Sequence, residues 1–321
     1  MFTSTVKWLE VELANKCNAR CPQCPRYDLN LKLVPGLNKN EITLDSFKNI
    51  DHDVLQGLEI LDLKGATGDP IIAKDLLPIL NHVRSINETC KINLATNGSL
   101  HDDAYWQELA KYTQPGEITF GIDGLAGVHE LYRIGTDFNT VIKNAQTFIN
   151  AGGNARWQML IFEHNEHQIE TCEKLSKKMG FYIFTTMYSD RFSYVDSTEV
   201  VTKNNSYILK PTKGKYTEAK DKVRERSKVK KVSCMSMDKN SIFIYADGTV
   251  WPCCMLGGIT TWGKSPHSMI ESSMIRKHIG GQRSINDETL SDILQSDEWN
   301  NWAWVTEGHM PTCRLYCGVY N

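Results

Sequence analysis

Between residues 8 and 186, six short apolar runs alternate with five longer amphipathic ones. The apolar runs are "WLEVELA" (8–14), "LEILDLKG" (58–65), "KINLAT" (91–96), "EITFGI" (117–122), "RWQMLIF" (156–162) and "FYIFTT" (181–186). The helical patterns are "TLDSFKNI" (43–50), "AKDLLPILNHVRSI" (73–86), "DDAYWQELAKY" (102–112), "DFNTVIKNAQTFINAGG" (137–153) and "NEHQIETCEKLSKKMG" (165–180). Gly152, Gly153 and Gly180 fall where helix C-caps belong. Repeated strand–helix units predict a parallel sheet with right-handed crossovers. Six units are too few for a closed eight-stranded barrel and enough for an open one. The expected fold is therefore α/β, a partial (β/α)6 TIM-type barrel over residues 1–190. Chemistry in such sheets gathers at the C-terminal ends of the strands.

The cysteines are grouped. Cys17, Cys21 and Cys24 directly follow the first strand, and Cys234, Cys253, Cys254, Cys313 and Cys317 gather towards the other end. Cys90 and Cys172 lie apart. The opening "MFTSTVKWLEVELANKC" lacks the basic-then-apolar pattern of a secretion signal. No run of about 18 apolar residues is present to cross a membrane. A cytoplasmic location with no membrane partner is expected, and a reducing compartment disfavours disulfides. Grouped cysteines there read as metal or iron–sulfur ligation. A formal charge of -2 predicts no general attraction to nucleic acid.

Three thiolates leave one iron of a four-iron cubane open, and an open iron can chelate a small molecule through an amine and a carboxylate. Zinc prefers paired knuckles, and the nearest histidine, His52, comes only after the first helix. The loop "CNARCPQC" (17–24) resembles that of the radical S-adenosylmethionine (SAM) superfamily. The resemblance implies a 4Fe-4S cluster held by Cys17, Cys21 and Cys24, with SAM on its open iron. An electron from the cluster then cleaves SAM to methionine and a 5′-deoxyadenosyl radical, which abstracts a substrate hydrogen. Gln23 departs from the pattern, since many members carry an aromatic residue before the third cysteine.

Other strand ends carry further likenesses to that family. "GATGDP" (65–70) resembles its glycine-rich motif, which implies that Gly68 and Asp69 meet the amino group of SAM. "TNGS" (96–99) and "GIDG" (121–124) end the third and fourth strands, and Asp123 and Asn97 are the candidates for contacts to the SAM ribose and carboxylate. "RWQMLIFEHNEHQ" (156–168) resembles the segment that packs on adenine, with Gln158 and Phe162 as candidates. In "VHELYRIGTDF" (128–138), His129 and Arg133 are expected near the mouth, with Arg133 a carboxylate clamp. Ordinary turn chemistry, core packing for Phe162 and a surface ion pair for Arg133 are the competing readings.

Residues 191–232 break the rhythm. "KPTKGKYTEAKDKVRERSKVKK" (210–231) is basic and reads as a linker or lid. With only Tyr216 aromatic, it offers no stacking platform for nucleic acid. Residues 233–321 form a smaller unit, in which "SIFIYADGTVWPCC" (241–254) reads as a β-hairpin and "LSDILQSDEWNNWAWV" (290–305) as a helix. Trp299, Trp302 and Trp304 read as packing anchors. Thirteen residues separate Cys234 from Gly248 and four separate Gly248 from Cys253, so the hairpin returns both thiols to one point. Cys313 and Cys317 close a four-thiolate cage. This resembles the SPASM/Twitch extension of radical SAM enzymes. No cysteine lies between Cys254 and Cys313, which favours the shorter Twitch form with one auxiliary 4Fe-4S cluster on Cys234, Cys253, Cys313 and Cys317. Cys254 remains an alternative ligand, because adjacent residues at a strand end face opposite ways. Zinc at these thiols is the competing reading.

The expectation is a radical SAM oxidoreductase or modifying enzyme, with peptide or protein maturation favoured. Small-molecule dehydrogenation and nucleoside or RNA modification are the alternatives. A non-catalytic iron–sulfur electron carrier or a zinc protein is the rival from another class, and neither explains the ring of strand-end motifs. The expected partners are a substrate peptide or small molecule and a reductase such as flavodoxin or ferredoxin. Asp190, Glu163 and His164 are candidate proton acceptors by position alone.

Overall fold

The computed structural model describes residues 6–27, 31–34, 37, 40–189, 192, 196–202, 206–212, 231–262, 283–300 and 311–319. Strands β1 (Trp8–Val11), β2 (Ile60–Leu63), β3 (Lys91–Thr96), β4 (Gly116–Gly121), β5 (Ala155–Ile161) and β6 (Ile183–Tyr188) lie side by side in chain order, each pair parallel. Between them run α1 (Leu44–Phe47), α2 (His52–Gly57), α3 (Leu76–Ile86), α4 (Asp103–Thr113), α5 (His129–Tyr132), α6 (Phe138–Asn150) and α7 (Ile169–Met179). The alternating runs thus build the partial barrel that the sequence implies.

The two faces of the sheet differ because its strands alternate in sequence. Leu9, Val11, Leu61, Ile92, Ile118 and Trp157 lie fully buried on the helix side. Residues paired across a parallel ladder share a face. Glu10, Asp62, Asn93 and Glu117 stand in one register row on the other face, and Thr119 and Arg156 pair one step further on. That polar face is the concave wall of the barrel. The helices meet the sheet through one-turn spacing: Leu76, Ile79, Leu80 and Val83 on α3, and Phe138, Val141, Ala145 and Phe148 on α6. Asp102 and Asp137 cap α4 and α6 by accepting the N–H of Tyr105 and Thr140. Gly180 closes α7 in the left-handed conformation, φ 89°. Among the described residues no helix is long and apolar enough to cross a membrane.

Two ladders lie outside this sheet: β7 (Thr198–Val201) with β8 (Ser206–Leu209), and β9 (Lys231–Val232) with a strand at the C-terminus. The expected hairpin forms from β10 (Ser241–Ile244) and β11 (Val250–Trp251), with Gly248 at φ 83° in its turn. It does not stand apart. β10 also pairs in parallel with β1, Trp8 opposite Ser241 and Val11 opposite Ile244, so eight strands share one sheet. Ile242 and Ile244 pack into the same core as Leu9 and Val11. That shared core fixes the hairpin beside the first strand. The C-terminal strand that pairs with β9 is β12 (Gly318–Val319). The expected helix at 290–305 forms in two pieces, Leu290–Gln295 and Asp297–Asn300, and Trp299 is buried as a packing anchor. Asp190, Trp302, Trp304 and most of 191–232 lie outside the described residues.

Candidate active site

The loop after β1 folds back at once. Cys24 N–H donates to Cys21 O at 3.0 Å and Tyr27 N–H to Cys24 O at 3.1 Å. These turns set Cys17, Cys21 and Cys24 against a cavity of about 480 Å³ at the C-terminal strand ends. Gly68, Asp69, Asn97, Arg133 and Gln158 line the same cavity. Five sequence-predicted residues from four loops or strands thus converge with the three cysteines.

Other expectations need correction. Asp123 does not line the cavity. It is fully buried, with Oδ2 accepting from Arg133 Nε at 2.6 Å and Oδ1 from Leu160 N–H at 2.7 Å. Its carboxylate acts behind the site because both oxygens serve the chain itself. His129 is also held away from the mouth. Its Nδ1 accepts the Asp123 N–H at 3.1 Å and its Nε2 lies 3.0 Å from Thr136 Oγ1. Burial pushes its pKa down to about 4, so the ring is neutral and Nε2 carries the proton. Asp69 accepts from Thr96 Oγ1 and Asn97 N–H, each at 2.8 Å, and so staples the β2 loop to the end of β3. A Cβ on Gly68 would lie 1.7 Å from Ala14 O, so the close approach this glycine permits is to the chain itself. Phe162 is core, packed 4.6 Å from Tyr132 between ring centroids. Glu163 pairs with Lys210 at 3.7 Å on the surface, and burial lowers the pKa of His164 to about 4. Neither lines the cavity.

Gln23, which departs from the family pattern, and Arg26, which the sequence did not single out, also line the cavity. Arg26 is buried, its Nη1 donating to Asn15 O and Thr67 O, which joins the cysteine loop to the β2 loop. Gln23 accepts from Ser189 Oγ at 2.7 Å, which ties the loop to the end of β6. That contact explains a polar residue where an aromatic was expected. The only signal for Arg26 was its place two residues after Cys24.

A second thiol group lies on the same concave side. Cys234, Cys253, Cys254, Cys313 and Cys317 line a cavity of about 200 Å³ together with Trp8 and Glu10 of β1. Cys253 receives the backbone N–H groups of Leu256 and Met255, and Cys234 those of Met237 and Ser236. Burial raises the pKa of both thiols, and the N–H donors aimed at each sulfur from a helix start oppose that rise. The charge neighbours of Cys253 are Cys313 and Cys234, whereas Cys254 turns to Glu10. The two adjacent cysteines face apart because Cys254 begins a helix.

The donor set suits iron–sulfur chemistry. Burial pushes the thiols of Cys17, Cys21 and Cys253 up to about 12 each, so they ionise only against strong positive charge. Among the described residues no three such side chains converge closely enough to grip a single ion. Soft sulfur donors spread around a cavity fit a multi-iron body better than a zinc knuckle.

Comparison with known proteins gives the same reading. The family model described as "Radical SAM superfamily" matches residues 11–175, and one described as "Iron-sulfur cluster-binding domain" matches 234–318. A GTP 3′,8-cyclase of Clostridium botulinum (strain Okra / Type B1) is 24% identical over 267 residues, 77% of this chain and 81% of that protein. One from Saccharophagus degradans is 28% identical over 156 residues, 47% of this chain and 44% of its own length. Streptococcus suis SuiB bound to S-adenosylmethionine superposes with TM-score 0.60 at 14% identity, covering 97% of this chain and 72% of that one. anSMEcpe with bound AdoMet gives 0.58 at 15% identity, covering 94% and 81%.

One buried acid joins β1 to the β2 loop and to the residue after β10. Glu12 is fully buried, its Oε1 accepting from Thr67 N–H at 2.7 Å and Thr67 Oγ1 at 2.6 Å. Thr67 Oγ1 also meets Tyr245 OH at 3.1 Å, just beyond β10. Burial lifts the Glu12 pKa from 4.5 to about 7. The folded chain thus holds this proton more tightly than the unfolded chain. The resulting stability is complete below about pH 4.5 and is lost as pH rises through about 7. Wild type should therefore lose roughly 3 kcal/mol relative to Glu12→Gln across that window, as judged by urea unfolding at a series of pH values. Parallel profiles for the two proteins would contradict it.

Proposed function

The chain belongs to the radical SAM superfamily, and from that premise we propose that it removes a hydrogen atom from a peptide held against the concave wall. It is a radical SAM enzyme with a C-terminal SPASM domain, and its cofactors are S-adenosylmethionine and 4Fe-4S clusters. When bound, the cluster and SAM supply a carbon-centred radical that takes a hydrogen atom from the substrate. In this reading Cys17, Cys21 and Cys24 hold the catalytic cluster. Cys234, Cys253, Cys313 and Cys317 hold the auxiliary one, which accepts the electron left on the substrate. The Gln158 amide and the backbone of residues 65–68 receive SAM. Asp69 and Asp123 keep the surrounding loops and Arg133 in position. An external one-electron reductase supplies the first electron.

The charge of the wall carries the choice of substrate. Lys64 is committed to Asp62 at 2.7 Å, and Arg156 to Glu117 at 2.7 and 3.1 Å. Glu10 adds a carboxylate whose hydrogen-bond partner is the Cys254 thiol. Lys91 is exposed at the far rim of the sheet. A nucleoside triphosphate carries about four negative charges and needs several uncommitted cations at its site. The described wall instead matches Glu10, Asp62 and Glu117 with Lys64, Arg156 and Lys239, the last lying over the Trp8 ring at 4.4 Å. The SuiB structure with its precursor peptide SuiA, TM-score 0.58 and 12% identity, supports a peptide reading. The GTP 3′,8-cyclases are the second reading, favoured by sequence identity.

Two experiments test this. Iron analysis after anaerobic reconstitution should show Cys24→Ala and Cys253→Ala each losing about half the iron, with Cys254→Ala unchanged. Only Cys24→Ala should abolish 5′-deoxyadenosine formation with dithionite and SAM. Iron lost from Cys254→Ala but not from Cys253→Ala would reverse the ligand choice. Incubation with GTP should leave the nucleotide intact by liquid chromatography and mass spectrometry. A 3′,8-cyclised product would replace the peptide reading.

A further inference from the structure

The Arg133 guanidinium occupies a prepared position beside the catalytic cysteines. Its Nη1 lies 4.0 Å from Cys21 Sγ while its Nε donates to Asp123 Oδ2 at 2.6 Å. A side chain at Gly121 would strike Arg133 Nη2 at 2.5 Å, so glycine at the end of β4 makes room for the cation. Asp123 is fully buried and fixed by Leu160 N–H on one oxygen, while its own backbone N–H is held by His129. Cation and carboxylate are therefore ordered in line, with the positive end towards sulfur. A second donor, Asn97 Nδ2, lies 3.7 Å from Cys17 Sγ.

We infer that the Arg133–Asp123 pair sets the reduction potential of the cluster held by Cys17, Cys21 and Cys24, the guanidinium raising it and the carboxylate restraining that rise. The inference rests on the functional reading above for the presence of the cluster and goes beyond it in assigning these residues to the sulfur rather than to SAM. Reduction adds a negative charge to the cluster. Nearby positive charge and N–H donors to sulfur favour that state, and low water content strengthens the effect. Distance decides the balance. Arg133 Nη1 lies 4.0 Å from Cys21 Sγ, whereas Asp123 meets the guanidinium through Nε, on the side away from the sulfur. The pair therefore presents net positive potential to this ligand although its formal charges cancel.

The two charges give shifts of opposite sign, which a merely structural role does not. The test is an EPR-monitored redox titration, without SAM, of the cluster signal that changes when SAM is later added. Asp123→Asn should raise the midpoint potential, because Asn still accepts from Leu160 but no longer offsets the guanidinium. Arg133→Met should lower it, and Arg133→Lys should hold it near the wild-type value. If Arg133→Met fails to assemble the cluster, the rise in Asp123→Asn decides the matter. A fall or no change in Asp123→Asn, or shifts of the same sign in the Asn and Met variants, would overturn the inference. A wild-type protein without the SAM-responsive cluster would overturn the functional reading and this inference together.

Discussion

A buried thiol ionises only against positive charge, and both ends of the reaction chamber are organised around that constraint. At the mouth, the β1 loop gathers three thiols where burial holds two of them up to about 12. Arg133 and Asn97 lean on their sulfurs. At the other group, helix-start N–H donors serve Cys234 and Cys253. In the proposed reading iron supplies the positive charge that lets these thiols ionise.

β1 connects the two groups. Its last turn leads into Cys17, its Trp8 and Glu10 line the second cavity, and Glu12 reaches Tyr245 through Thr67. Pairing of β10 with β1 is therefore more than an extension of the sheet. It sets Cys234, Cys253, Cys254, Cys313 and Cys317 beside Trp8 and Glu10 of β1, on the concave side of the sheet. Along the wall Asp62 pairs with Lys64 and Glu117 with Arg156, and Glu10 shares its cavity with Lys239.

Local features were legible in the sequence and long-range ones were not. The six strand–helix units, the CNARCPQC loop and the hairpin turn at Gly248 each depend on neighbours in the chain. Pairing of Trp8 with Ser241 spans most of the chain and leaves no periodic trace. Gly68 and Asp123 were noticed because their motifs are short and polar, but their partners proved to be Ala14, Arg133 and Leu160. Sequence identifies an acid at a strand end and not whether its oxygens are already taken. The Cys253 and Cys254 side chains diverge at a helix start rather than by strand alternation. Arg26 and Glu12 were missed because a buried ion in a strand-to-loop segment looks like any solvated one.

The central claim is that this chain carries two iron–sulfur clusters and uses one of them to cleave SAM. The most direct measurement is anaerobic reconstitution of the wild-type protein, followed by iron and sulfide counting and assay of 5′-deoxyadenosine after addition of dithionite and SAM. The account predicts about eight irons per chain, as two four-iron clusters require, together with 5′-deoxyadenosine. Eight irons without 5′-deoxyadenosine, or zinc in place of iron at Cys17, Cys21 and Cys24, would contradict it.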